Sequence, residues 1–85
     1  MDPWELDAAL ATAHKRTHDA EERLHRVKRQ RPTGPYEGES GVGYLGRVIA
    51  WQCAHSDALI RVSEEIRSAM VLILLARHHD RTPPH

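Results

Sequence analysis

Three histidines and a glutamate, His14, His18, Glu21 and His25, are spaced by four, three and four residues. On a helix that spacing sets them along one flank, where imidazole and carboxylate groups can converge on zinc or another divalent metal. Glu22 and His25 also have the Glu-x-x-His spacing that di-iron bundles use. A structural zinc site normally needs four placed ligands, however, and no matching Glu-x-x-His follows in the second half of the chain. Solvated side chains on a helix flank account for the same stripe. A metal-binding helical bundle is therefore an alternative reading, and the expectation is no cofactor.

A second set is basic: Arg23, Arg26, Lys28, Arg29 and Arg31, with His25 among them. Such a cluster can contact phosphates. Glu37 and Glu39 follow closely, and no nucleic-acid-binding motif accompanies the cluster. Cationic residues at a helix C-terminus complement the helix dipole, which explains the same pattern. Nucleic-acid binding through this end is a second alternative. The run Gly41-Val-Gly-Tyr-Leu-Gly46 matches G-x-G-x-x-G, a dinucleotide fingerprint only when a strand precedes it. Residues 31–40 hold two Pro and two Gly, so they cannot be that strand. The run reads as a loop entering a helix, with room for no more than a weak anion site. Cys53 and His55, two apart, point to different faces of a helix, and the expectation is that the chain is not an enzyme.

Composition narrows the class. Eighty-five residues make one small domain. With no Phe, two Trp and two Tyr, the core must come from aliphatic residues, and so small a core favours an oligomer. Twelve basic and twelve acidic residues cancel, so bulk charge points to no polyanionic partner. A single cysteine, Cys53, excludes an intrachain disulfide and suits a reducing compartment. The acidic start Met1-Asp2-Pro3-Trp4-Glu5 lacks a secretory pattern, and the apolar run 69–76 is too short to span a bilayer. The expected location is cytoplasmic.

Two helices must position all these residues. Asp2-Pro3 is a helix start. Leu6, Leu10, Ala13, Thr17, Ala20, Leu24 and Val27 then alternate by four and three, the signature of a coiled-coil seam. Leu45, Val48, Gln52, His55, Leu59, Val62, Ile66, Ala69, Ile73 and Ala76 form a second seam of the same kind. Only residues 32–43, with two Pro and four Gly, break the pattern. The spacing predicts an all-α protein of one domain over residues 1–80. Its helices cover about 3–31 and 43–79, with a loop over about 32–42 and a disordered tail over 81–85.

A short loop between long amphipathic helices implies an antiparallel hairpin. Folding it about the loop centre sets Leu24 opposite Val48, Leu10 opposite Val62 and Leu6 opposite Ile66. Thr17 then faces His55, with Gln52 one turn away, and buried polar groups in such a layer fix register. In this register Met70 to Ala76 project beyond the start of the first helix. Trp51, Met70, Val71, Leu72, Leu74 and Leu75 are accordingly expected to form an interface, and the simplest closed solution is a homodimer arranged as a four-helix bundle. The function expected is protein–protein interaction, as a small adaptor, regulator or assembly module.

Overall fold

The computed structural model describes residues 2–81, and side chains as far as His78. Two helices, α1 (Pro3–Arg29) and α2 (Gly41–Arg81), pack antiparallel into a rod of 74 × 14 × 14 Å. The described residues contain no strand. The helical hairpin expected from the heptad spacing is therefore the fold, with the second helix starting two residues earlier than expected. Of the tail expected over 81–85, Arg81 belongs to α2, and 82–85 lie outside the described residues.

Local chemistry sets the helix ends. Pro3 occupies the first position of α1, where its missing N–H costs nothing. The Glu5 carboxylate reaches back to accept from the Asp2 N–H at 3.3 Å. At the other end the Gln30 and Arg31 N–H groups donate to the Val27 and Lys28 carbonyls, closing the helix with tight final turns before Pro32. Ser40 caps α2 by accepting the Gly43 N–H on its Oγ at 3.0 Å. The Gly41–Gly46 run is therefore the first turn and a half of a helix and not a loop entering one.

The α1 seam is the expected one: Leu6, Ala13, Ala20 and Val27 are buried, and Leu10, Thr17 and Leu24 half-buried between them. The α2 seam is not. Its buried or half-buried seam positions are Tyr44, Val48, Trp51, His55, Ala58, Val62, Glu65, Ala69, Leu72 and Ala76, with Arg47 and Ala54 half-buried beside them. Val48, His55, Val62, Ala69 and Ala76 belong to both series, whereas Leu45, Gln52, Leu59, Ile66 and Ile73 give way to the residues just before them. Both series alternate by three and four, so periodicity does not choose between them. Packing does. Ala58 is wholly buried, and the Trp51 indole lies over the end of α1, donating from Nε1 to the Val27 carbonyl at 2.6 Å.

The register differs as well. Val27 meets Trp51, and Leu72 shares a hollow with Ala8, Ala9 and Thr12. The chain folded about its loop centre would have set Val27 opposite Leu45, so α2 is displaced toward the loop by nearly two turns. The reason is visible at Arg47. Its guanidinium donates to both oxygens of Glu39 (2.8 and 2.7 Å) and to the Gly34 carbonyl (3.0 Å), and lies 3.8 Å from the Tyr36 ring centroid. The loop thus packs on the first turns of α2 and takes the place α1 would have occupied. The overhang sits at the loop end of α2. The stretch expected to project from the other end runs mostly beside α1.

Candidate interaction surface

The rotation of α2 leaves a second apolar stripe in solvent. Leu45, Ile49, Leu59, Ile66, Met70 and Ile73 are each between 42 and 57 % exposed, and Val42 is more exposed still. With Gln52, Ser56 and Ser63 they alternate by three and four along the whole helix. This stripe lies about 100° round α2 from the seam that α1 covers, as follows from 3.6 residues per turn. Ile60 and Leu74, also exposed, widen it on the side away from α1. The stripe thus has two exposed apolar ends, Val42 to Ile49 and Ile66 to Ile73, with Gln52, Ser56 and Ser63 around Leu59 between them.

The expected interface residues divide accordingly. Met70, Val71, Leu74 and Leu75 are exposed and available to a partner. Trp51 and Leu72 belong to the intrachain seam. Trp51 is held there by the Val27 hydrogen bond, by stacking on His55 (ring centroids 5.0 Å apart) and by Arg31, 5.6 Å from its ring. A seam through Ile73 would leave Leu72 outside it; the observed seam runs through Leu72.

The expected polar layer does not form as a unit. Thr17 Oγ1 donates to the Ala13 carbonyl of its own helix at 2.9 Å, which satisfies the hydroxyl without a partner from α2. Gln52 is exposed, and half-buried His55 stacks on Trp51. The polar group that α2 does bury is Glu65, only 7 % exposed at a seam position. Arg61 Nε reaches its carboxylate at 3.2 Å across one helical turn. The spacing of Arg61 and Glu65 four apart was visible in the sequence, but nothing there said that Glu65 faces inward.

Beside Glu65 the two helices leave open hollows, one of about 350 Å³ lined by Ala9, Ala13 and Ser68 and another of about 430 Å³ lined by Arg16, Arg23 and Arg61. This flank is opposite the apolar stripe, and its hollows are shallow and of mixed charge, with Asp19 and Glu65 among the arginines. Arg23 is the one member of the basic cluster that lines them. Arg26, Lys28 and Arg29 are exposed at the end of α1, and Arg31 is taken up by Trp51.

His14, His18, Glu21 and His25 stand exposed along α1. His18 lies 3.9 Å from Glu22, not from another member of the stripe. Among the described residues no three His, Cys, Asp or Glu side chains gather as a metal site would require. Consecutive members stand on successive turns of the helix, and no described side chain of α2 completes the set.

The most constrained charges are those of the loop clamp. The Arg47 guanidinium and the Tyr36 N–H hold the Glu39 carboxyl down to a pKa of about 2, and Glu39 in turn raises the Arg47 value. Gly38, at φ 77°, takes the third position of the turn that the Glu39 N–H closes onto the Tyr36 carbonyl, a backbone shape that favours glycine. This clamp was not legible beforehand, since it joins residues eight and thirteen apart through an irregular loop.

Among the described residues no helix is long and apolar enough to cross a membrane. No known family model matches the chain, and neither a curated protein nor a solved structure does.

Proposed function

We propose that this chain is a non-enzymatic interaction or assembly module, a small adaptor or regulator, that pairs with a second copy through a helical-bundle interface. The observation that carries the reading is the doubled apolar character of α2: one stripe is covered by α1, and the other, from Leu45 to Ile73, stays exposed among the described residues. A helix apolar on two faces is a helix meant to be packed on two sides. The hairpin itself buries few large side chains. Its fully covered positions are Leu6, Val27 and three alanines, together with Glu65, which leaves a thin core that a second hairpin would thicken. Free, exposed Cys53 fits a reducing compartment such as the cytoplasm.

The experiment is molar mass in solution by light scattering, with helicity by circular dichroism, at tens of micromolar. The expected result is a helical dimer. A well-folded monomer would remove both the self-association and the interaction reading that rests on it.

A further inference from the structure

We propose that the second copy packs antiparallel, α2 against α2, about a two-fold axis level with Asp57 and Ala58. This rests on the self-association reading above and adds its geometry. The exposed stripe of α2 reads, in order, Val42, Leu45, Ile49, Gln52, Ser56, Leu59, Ser63, Ile66, Met70 and Ile73. It is three apolar residues, a polar one, a Ser/Leu pair of centre positions, a polar one and three apolar residues. Apart from the central Ser56 and Leu59, which exchange places, that order of apolar and polar residues is the same from either end.

A two-fold interface is isologous: if one residue meets another, the second meets the first. Two helices related by such an axis across their length run antiparallel, so their facing stripes must match when one is reversed. Here they do. Val42 comes level with Ile73 of the mate, Leu45 with Met70, Ile49 with Ile66, Gln52 with Ser63 and Ser56 with Leu59. The stripe between Val42 and Ile73 holds no ionised side chain that would be buried. A shift of one heptad either way spoils the match, setting Leu45 against Arg77 or leaving Met70 and Ile73 uncovered.

A parallel pair would also set like against like, but two consequences disfavour it. It brings Arg77 at the end of the stripe against its own copy. It also leaves the two α1 helices on opposite sides of the α2 pair, because its axis runs along the helices. The antiparallel axis is perpendicular to the plane of the α2 pair and keeps both α1 helices on one side of it. With the stripe about 100° from the α1 seam, that arrangement closes as a four-helix bundle. The opposite flank of the hairpin is the weaker candidate because a partner there would cover the charged Arg16, Asp19, Arg23, Arg61 and Glu65 that line the hollows.

The test uses disulfide cross-linking of the full chain with Cys53→Ser, into which Ile49→Cys and Ile66→Cys are placed separately. In the antiparallel pair each new thiol lies about 26 Å from its own copy, at 1.5 Å per residue, and beside the other variant's thiol. The two variants, co-refolded and mildly oxidised, are expected to give a covalent dimer, while neither does so alone. Leu45→Cys with Met70→Cys provides a second pair, and circular dichroism checks that each variant folds. Self-linking of either single variant, or a dimer by light scattering that the mixed pairs fail to link, overturns the antiparallel geometry and leaves self-association standing. A monomer by light scattering overturns both.

Discussion

Trp51 and Gln52 are neighbours in sequence, and only one of them can face α1. Trp51→Phe keeps an aromatic ring over the end of α1 and beside His55, and removes the Nε1 donor to Val27. The Val27 carbonyl still accepts the Gln30 N–H at 3.1 Å, so it is not left unsatisfied. The loss is then the net value of one hydrogen bond, about 0.5–1.5 kcal/mol, and not the larger penalty of a stranded acceptor. For a chain of this size 1 kcal/mol corresponds to roughly 4–8 °C in melting temperature. Trp51→Ala also gives up the buried half of the ring, and should cost about twice as much or more. Gln52→Ala, on an exposed residue, should change the melting temperature by less than about 0.5 kcal/mol would. The assay is thermal unfolding followed by circular dichroism at one fixed protein concentration, since association raises apparent stability. If Gln52→Ala proves the more damaging change, or Trp51→Phe leaves the midpoint unmoved, the seam assigned to α2 is wrong.

Ile66→Glu should weaken self-association with little loss of helicity. Each half-exposed isoleucine contributes about 1 kcal/mol of burial and occurs twice per dimer, so the dissociation constant should rise at least about tenfold in a sedimentation dilution series; an unchanged constant would place the interface elsewhere. The loop clamp makes a pH prediction. Because the Glu39 carboxyl is held at about 2 against an ordinary 4.5, its contribution is present above about pH 4.5 and is lost as the pH falls toward 2. Glu39→Gln should flatten that part of the profile, read from the signals of Tyr36 and Tyr44 beside Arg47; a variant that titrates like the parent would show the pair to be unimportant. In Ile66→Glu, expected to be monomeric, equimolar zinc or a chelator should leave the melting temperature unchanged, because one hairpin does not bring His14, His18, Glu21 and His25 together; a stoichiometric rise would revive the metal reading.

Much of the fold was legible in one dimension. The α1 seam is unambiguous because only one face of that helix is apolar, so Leu6, Ala13, Ala20 and Val27 had nowhere else to go. The helix boundaries follow from Pro3, Pro32 and Ser40, which act on their own backbone and need no tertiary partner. The exposure of the His14–His25 flank follows equally from its place beside the seam.

The orientation and register of α2 did not lie in the pattern. A helix with apolar residues on two adjacent faces admits more than one seam of the same period, and α1 can cover one. The choice fell to packing and one hydrogen bond: Ala58 is wholly buried in the seam, and the Trp51 indole donates to the Val27 carbonyl at the end of α1. Register was likewise settled by a long-range clamp, since Arg47 gathers Gly34, Tyr36 and Glu39 onto the start of α2 and slides that helix past α1. Local propensity and periodicity act within a few turns of chain, and so the sequence by itself determined two helices and their antiparallel order. Which face of α2 is spent inside the hairpin, and which is left for another molecule, depends on contacts between residues more than twenty positions apart, and only the tertiary structure decided it.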